Sequence, residues 1–439
     1  MIINEVMEHI WGSVAQKYNE ELNRYLLLSE TELADLLSEK LQTMERGINN
    51  YAYAENILPT CGCNNRHRDG KLSGCAMCDW ESGNYAMCAA MTALKQKNKM
   101  LYVEILRKSI EINRGTQVKP SLIEEFATHD LLDEGDIIPE FYDDIFIHNK
   151  LYEKRPFFGM MAARPESITH QKVRKWKSQY RKGLIVGMGV ETSDEWLRNH
   201  WLNKNTSQKT LMNALYILEE ENVSAGGDIL FGIPGISAGH SINILKESLT
   251  FLNRTTMQSI VVSPLSRKNL TLQSFIYNNL VDKEEVIRIY GGETYFTDIP
   301  SPYTLLIGMY EALSEISGVE QKIKISPQNT TAYLEQIQQE EKHEKFTDME
   351  YEILNLFEEM ARNSMLEVGI EGDKIETLYL KAKKEKTFGE QLELLEIQRQ
   401  YPLKELMAVI MRNVITFFWE AEAMDKIEKF EKELVGYEK

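Results

Sequence analysis

The pattern of apolar and polar positions divides the chain into three textures. Residues 1 to about 50 place apolar side chains at helical spacing, in NEELNRYLLLS and ETELADLLSEKLQTMERG, with Ser29 and Thr31 as candidate N-caps. From about residue 55 the pattern becomes short apolar or β-branched runs separated by amphipathic stretches. The runs predict strands at NILPTCG (56–62), LIEEFATH (122–129), PFFGMMAA (156–163), GLIVGMGVE (183–191), AGGDILFGIP (225–234) and MQSIVVSP (257–264). Helical patterns fall between them, around 87–97 and in DIIPEFYDDIFIHNKLYE, HQKVRKWKSQYRK, TLMNALYILEEEN and INILKESLTFLN. Strand and helix alternating about six times predict parallel βαβ units, in a doubly wound sheet or a full or partial barrel. Such folds carry their chemistry at the carboxyl ends of the strands.

After about residue 325 the strand signals fade, and DMEYEILNLFEEMARNSM, FGEQLELLEIQRQY and ELMAVIMRNVITFFWEAEAMDKIEKFEKEL read as amphipathic helices. The run LMAVIMRNVITFFWEA (406–421) is too apolar to lie free in water, so it is expected to pack on the barrel, on the N-terminal helices or across a homodimer. The organisation expected is a helical N-terminal extension (1–50), an α/β unit (51–320) and a helical C-terminal domain (321–439).

Composition narrows the classes. With 439 residues, 43% hydrophobic and 27% charged, the chain is neither disordered nor collagen-like, and no internal repeat is visible. Fifty basic against 67 acidic residues leave a net charge of −17, so the overall field repels phosphate backbones. A nucleic-acid partner would need a local basic patch. The stretch 170–182, with Trp176 and Tyr180 interleaved, is the one candidate, though its periodicity is that of an ordinary helix whose basic face is solvated, the reading preferred here. No apolar run reaches the roughly 18 residues of a membrane span, and the N-terminus lacks a signal-peptide pattern, so a cytoplasmic protein with no membrane partner is expected.

Four of the five cysteines, Cys61, Cys63, Cys75 and Cys78, crowd into LPTCGCNNRHRDGKLSGCAMCDW. Clustering of that kind points to metal. The C-x-x-C pair at Cys75 and Cys78 can reach one metal, with a third thiolate from Cys63 or Cys61. A structural zinc knuckle satisfies this spacing; a thioredoxin-like redox pair fits it less well. Position favours a reactive centre, because the cluster follows the first predicted strand of the βα series. Cys88, ten residues past Cys78 on a helical pattern, reads as a packing residue.

These residues, with others in order along the chain, resemble the radical S-adenosylmethionine (SAM) superfamily. The pieces are GC at 62–63, GCAMCDW at 74–80, THDLLDEGDIIPEF at 128–141, ARPESIT at 163–169, VGMGVETSDEWLRNHWLNKNTS at 186–207 and DILFGIPG at 228–235, with NLTLQSFIYNNL (269–280) and SPYTLLIGMYEAL (301–313) extending the match. Within the superfamily the pattern is similar to the radical-SAM subunit of archaeosine synthase and, more distantly, to the elongator catalytic subunit and the methylthiotransferases. Eleven residues, NNRHRDGKLSG, separate Cys63 from Cys75, where the superfamily usually has three.

The resemblance implies an α/β partial (β/α)6 TIM-like barrel, a [4Fe–4S] cluster on Cys63, Cys75 and Cys78 with Cys61 in reserve, and SAM as the second cofactor. It implies SAM contacts from Asp130 at the second strand end, Arg164 of the R-P-E, Glu191 ending the fourth strand, and Arg198 or Lys204 as the cation for the methionine carboxylate. Phe231 and Ile233 would line the adenine, and Ser263 with its neighbours would offer backbone groups to the adenine edge. The histidines at 67, 129, 170 and 240 read as surface or supporting residues. A flavodoxin- or ferredoxin-type reductase is the implied electron donor. Too few cysteines remain for an auxiliary cluster, and neither a corrinoid-binding domain nor an acetyltransferase-like region is visible. The expectation is hydrogen abstraction from a small molecule or peptide, with modification of a tRNA base as the alternative from the subfamily resemblance and a non-catalytic zinc-binding scaffold as a third reading.

Overall fold

The computed structural model describes all residues except 45, 69–70, 116–119, 150, 153, 281–282, 284–298, 341–345, 365–368 and 438–439. Asp69 and Gly70 of the cysteine-loop insertion therefore lie outside the described residues. Among those described, seven strands form one parallel sheet in the order β1 (Tyr53–Ile57), β4 (Ile123–Ala127), β5 (Phe158–Ala162), β6 (Gly183–Glu191), β7 (Ser224–Phe231), β8 (Ser259–Pro264) and β9 (Ile323–Ile325). A short antiparallel pair, β2 (His67–Arg68) and β3 (Lys71–Leu72), sits within the cysteine loop.

Five of the six expected runs become strands near their predicted places. The first strand instead begins earlier and ends at Ile57, since Pro59 has no N–H for the ladder and the last bond to β4 is Leu58 N–H to the Ala127 carbonyl at 3.1 Å. The seventh, IKI, is three residues long with a lysine at its centre, too short to leave a periodic signal.

Parity along the strands fixes what faces inward. In β6 the side chains of Leu184, Val186, Met188 and Val190 are buried against helices, while Gly187, Gly189 and Glu191 face the other side. Register then places Glu55 beside Glu125, Gly187 beside Gly226, Gly189 beside Asp228, and Val261 beside Lys324 on that same inner face. The face is concave. Asp228 on β7 acts electrostatically on Glu125 of β4 although two strands lie between them. Gln328, just past β9, donates to Glu55 Oε1 on β1 at 3.3 Å, so the two ends of the sheet curl toward each other as a partial barrel.

The added helices brace this shell. Ser29 and Glu32 form a reciprocal cap that starts α3 (Glu30–Thr43). That helix packs on α5 (Lys99–Arg114), and α2 (Gly12–Leu27) packs on α4 (Tyr85–Lys97). The apolar run 406–421 lies in the helix Leu403–Trp419, with Leu406, Met407, Ile410, Met411, Val414 and Ile415 buried. It packs on the helix Leu272–Leu280, where Phe418 stacks on Phe275 at 4.6 Å, and on α1 (Ile2–Ile10). Two of its three expected neighbours, barrel and N-terminal helix, are therefore both engaged. The last helix, Ala423–Val435, clasps α1 through Lys429–Glu5 at 2.6 Å and a bond from Ile2 N–H to Glu433 at 3.1 Å. Among the described residues no helix is long and apolar enough to cross a membrane.

Candidate metal centre at the mouth of the sheet

Cys63, Cys75 and Cys78 lie on the loop that leaves β1 at its carboxyl end, and each appears in the electrostatic surroundings of at least one of the others. Burial, with Cys75 adding to it, pushes the Cys63 thiol up to about 12, and burial likewise raises Cys78. Arg164 at the end of β5 opposes the rise at Cys63, and Arg66 opposes it at Cys78. The Cys63 and Cys78 thiols so placed keep their protons in the metal-free chain. Among the described residues, no three His, Cys, Asp or Glu side chains converge closely enough for a single metal ion. The three thiols with cations beside them suit a larger anionic group spanning them, of the iron–sulfur kind.

Cys61 is turned elsewhere. Its Sγ lies 3.6 Å from Tyr102 Oη on α5, and Asp136, not the other loop thiols, is its main electrostatic neighbour. Cys88 is buried on α4 nearby.

A second loop closes on the cysteines from β6. Asn203 Nδ2 donates to the Gly74 carbonyl at 2.7 Å, Ala76 N–H to the Leu202 carbonyl at 2.9 Å, and Asn65 Nδ2 to both Cys75 Sγ (3.2 Å) and the Asn203 carbonyl (3.1 Å). Asn203 and Asn205 both adopt positive φ, a conformation that asparagine tolerates better than most residues. Lys204 lies between them, its Nζ 2.7 Å from Glu191 Oε1. Glu191 also sits at positive φ (64°), at a β-bulge that re-aims the strand end. The pair lies over Gly189, where a Cβ would collide with Lys204 Nζ and Glu191 Oε1. Burial lowers the Lys204 ammonium, but Glu191 and Cys75 outweigh it and hold the group above its ordinary value, fully charged. Arg164 donates to the Lys204 carbonyl at 2.7 Å, which brings both cations beside the thiols.

Asp130 is nearby but committed: its carboxylate accepts from Leu132 N–H at 3.1 Å and Ser167 Oγ at 2.5 Å, and burial pushes it up to about 7. Ser263 faces inward in register with Leu230, its Oγ accepting from Asn329 Nδ2 at 3.0 Å.

Three expected contacts are corrected. Arg198 is 0% exposed, with its guanidinium donating to the carbonyls of Thr206 (2.9 Å) and Thr192 (3.0 Å) and to Gln208 Oε1 (2.8 Å). It staples the loop instead of facing a ligand, because a π-helical turn at Leu197–Trp201 carries it inside. Phe231 falls on the outer parity of β7, where its ring meets Gly308 of the helix Pro302–Glu315; Leu230 is the inward residue. Ile233, 1% exposed, belongs to the core under the Gly-Ile-Pro-Gly turn.

The sequence reading also missed residues that shape the site. Glu81, 2% exposed on its side chain, accepts from Cys63 N–H at 2.7 Å and lies 2.6 Å from His67 Nε2. Burial raises its carboxyl, but the His67 hydrogen bond and the charges of His67, His129 and Arg66 bring it net below the ordinary carboxylate value. Deeper in the barrel, Tyr53 donates to Glu125, which with Asp228 makes an acidic inner wall. The alternation in LIEEFATH contained that signal, since it places Glu124 and Glu125 on opposite faces and one of them must point inward.

No family model matches the sequence, and no curated protein matches it. Among solved structures, the chain aligns with the radical S-adenosylmethionine methyltransferase TsrM from Kitasatospora setae, bound to tryptophan substrate and the SAM analog aza-SAM. The TM-score is 0.37 and the identity 10%, over 73% of this chain and 66% of that one. It aligns also with the cobalamin-dependent S-adenosylmethionine radical enzyme OxsB, bound to aqua-cobalamin and S-adenosylmethionine, at TM-score 0.31 and 13% identity, over 88% of this chain and 59% of that one. The chain thus spans less than two thirds of the length of the chains it matches.

Proposed function

We propose that the chain is a radical SAM enzyme that holds a [4Fe–4S] cluster on Cys63, Cys75 and Cys78 and abstracts hydrogen from a small molecule or peptide. One observation carries the reading: the three thiols are gathered at the carboxyl end of a curled parallel sheet, with Arg164 and Lys204 beside them and Cys61 turned away. When bound, the cluster supplies the electron that cleaves the SAM sulfonium into methionine and a 5′-deoxyadenosyl radical. The chain's own residues bind and orient. Lys204 and Arg164 are the fixed cations for a carboxylate. Glu191, aimed by its bulge, is the acceptor for an ammonium or ribose hydroxyl. Gly187 and Gly226, side by side on the inner face, leave room for a flat ring.

The inner wall favours a small, non-phosphorylated substrate. Glu55, Glu125, Asp228 and Glu191 line that face with carboxyl groups, which offer hydrogen bonds to a small polar molecule and no run of cations for a phosphate backbone. The second reading, tRNA-base modification as in archaeosine synthesis, rests on the subfamily resemblance and on the basic stretch 170–182. In that stretch Trp176 and Tyr180 are buried, Arg174 and His170 pair with Glu221, and Lys172 and Lys177 donate to carbonyls, so no stacking platform is offered. A zinc scaffold is the third reading. Anaerobic reconstitution separates the scaffold from the two enzyme readings: uptake of about four irons per chain, and 5′-deoxyadenosine formed on adding SAM and a reductant, support an enzyme, and its stimulation by a small molecule but not by tRNA favours the first. Zinc alone from an iron-replete preparation refutes it.

A further inference from the structure

Cys61 and Cys63 flank a single glycine, yet the turn sends them in opposite directions, and a different carboxylate holds each. The Cys61 N–H donates to Asp136 Oδ1 at 2.9 Å, and Tyr102, which lies against Cys61 Sγ, donates to the Asp136 carbonyl at 2.9 Å. The Cys63 N–H donates to Glu81 Oε1 at 2.7 Å. Gly62 between them has φ +105°, and a Cβ there would press on His67 Nε2 and on the Glu81 carboxylate. The backbone is thus pinned on both sides of one glycine.

Glu81 reaches further than one amide. Besides His67 at 2.6 Å it has Arg66 Nε at 3.6 Å and His129 Nε2 at 3.7 Å. Arg66 in turn donates to the carbonyls of Ser73 (2.8 Å) and Cys78 (2.9 Å), and its guanidinium lies 3.6 Å over the Trp11 ring. A single buried carboxylate therefore links the backbone at Cys63, the long insertion and the backbone at Cys78. Burying a carboxylate is costly, and the chain compensates it with the Arg66 guanidinium and the ring nitrogens of His67 and His129.

We propose that Glu81 is a positioning residue that selects Cys63 over Cys61 as the first cluster ligand, with Asp136 as the counterpart that holds Cys61 back. This rests on the cluster reading above. The test uses the full chain, reconstituted anaerobically, and follows iron per chain and the rate at which a chelator bleaches the cluster's visible absorbance. Glu81→Ala is expected to lose the cluster about tenfold faster than the parent, the scale of a lost supporting hydrogen bond at a metal site, with dichroism showing that the metal-free chain still folds. Glu81→Gln keeps an acceptor at the right reach and should hold the cluster nearly as well as the parent. Glu81→Asp keeps the charge but is one methylene short and should not. In the Glu81→Ala background, adding Cys61→Ala should lower the iron content, which it does not do in the parent. Rescue by Asp but not Gln would assign Glu81 to charge balance and overturn the inference, as would parental release rates in all three variants. Should Glu81→Ala fail to fold, the Gln and Asp pair decides. A parent chain that binds no iron overturns the cluster reading itself, and is seen before any variant is made.

Discussion

The cysteine loop and the inner wall of the sheet meet at one mouth but are shaped by different forces. The wall is set by alternation: apolar side chains of β6 and β7 bury against helices, and the opposite parity delivers Glu191, Asp228 and Leu230 inward. Among the described residues the loop has no ladder beyond the β2–β3 pair, and its course is fixed by side chains that take backbone groups, many from far along the chain. Asn203, which holds Gly74, is 129 positions away from it. Wall positions are therefore local and apolar in origin, whereas loop positions are collective and polar. A change in the outer wall should cost stability. A change in the loop should cost ligand geometry.

The largest expected effect tests the loop. Replacing Cys63, Cys75 or Cys78 by Ala should each remove the iron entirely, and Cys61→Ala should leave it, as read by iron analysis after reconstitution. The wall gives the next contrast: Phe231→Ala should lower unfolding stability by about 3–5 kcal/mol in denaturant titration, while Leu230→Ala costs much less. Two cations sharpen it further. Arg198→Met should cost about 2 kcal/mol by leaving the buried Thr192 carbonyl without its donor and the Thr206 carbonyl with Asn199 Nδ2 alone, and should spare SAM affinity. Lys204→Met should weaken SAM binding about tenfold, near 1.4 kcal/mol, in equilibrium dialysis.

The inner acids supply a pH signature. Burial pushes Glu125 from 4.5 to about 7, with Asp228 adding to it, and burial and Glu191 push Asp228 from 3.8 to about 7 against Lys204. Folding thus favours their protonated forms, so their contribution is full below the ordinary values and is lost as pH rises to about 7. The thermal midpoint should fall across that window, and Glu125→Gln with Asp228→Asn should flatten the fall. The smallest effect is at the bridge: Gln328→Ala should change stability by under about 0.5 kcal/mol.

The same contrast explains what the sequence disclosed. The strands were legible because GLIVGMGVE and MQSIVVSP concentrate apolar residues, and the cysteines because no other role crowds four of them together. Phe231 was misplaced by one residue of parity, which flips a side chain to the other face. Arg198 was misread because its partners are carbonyls, which leave no mark in composition. Glu81 was invisible for a similar reason: its partners are a backbone amide and side chains scattered from Arg66 to His129.

The clasp between the first and last helices has a consequence for how the molecule assembles. Ile2 and Glu433 are 431 positions apart, and a loop of that length is closed at least entropic cost once the intervening chain is already compact. The sheet should therefore form before α1 docks. Trp11, directly after α1, caps Arg66, so the cysteine loop gains its outer cover late, after its strands have paired. Until then the thiols would face an open mouth, an interval in which the proposed cluster could be loaded before Trp11 closes over Arg66.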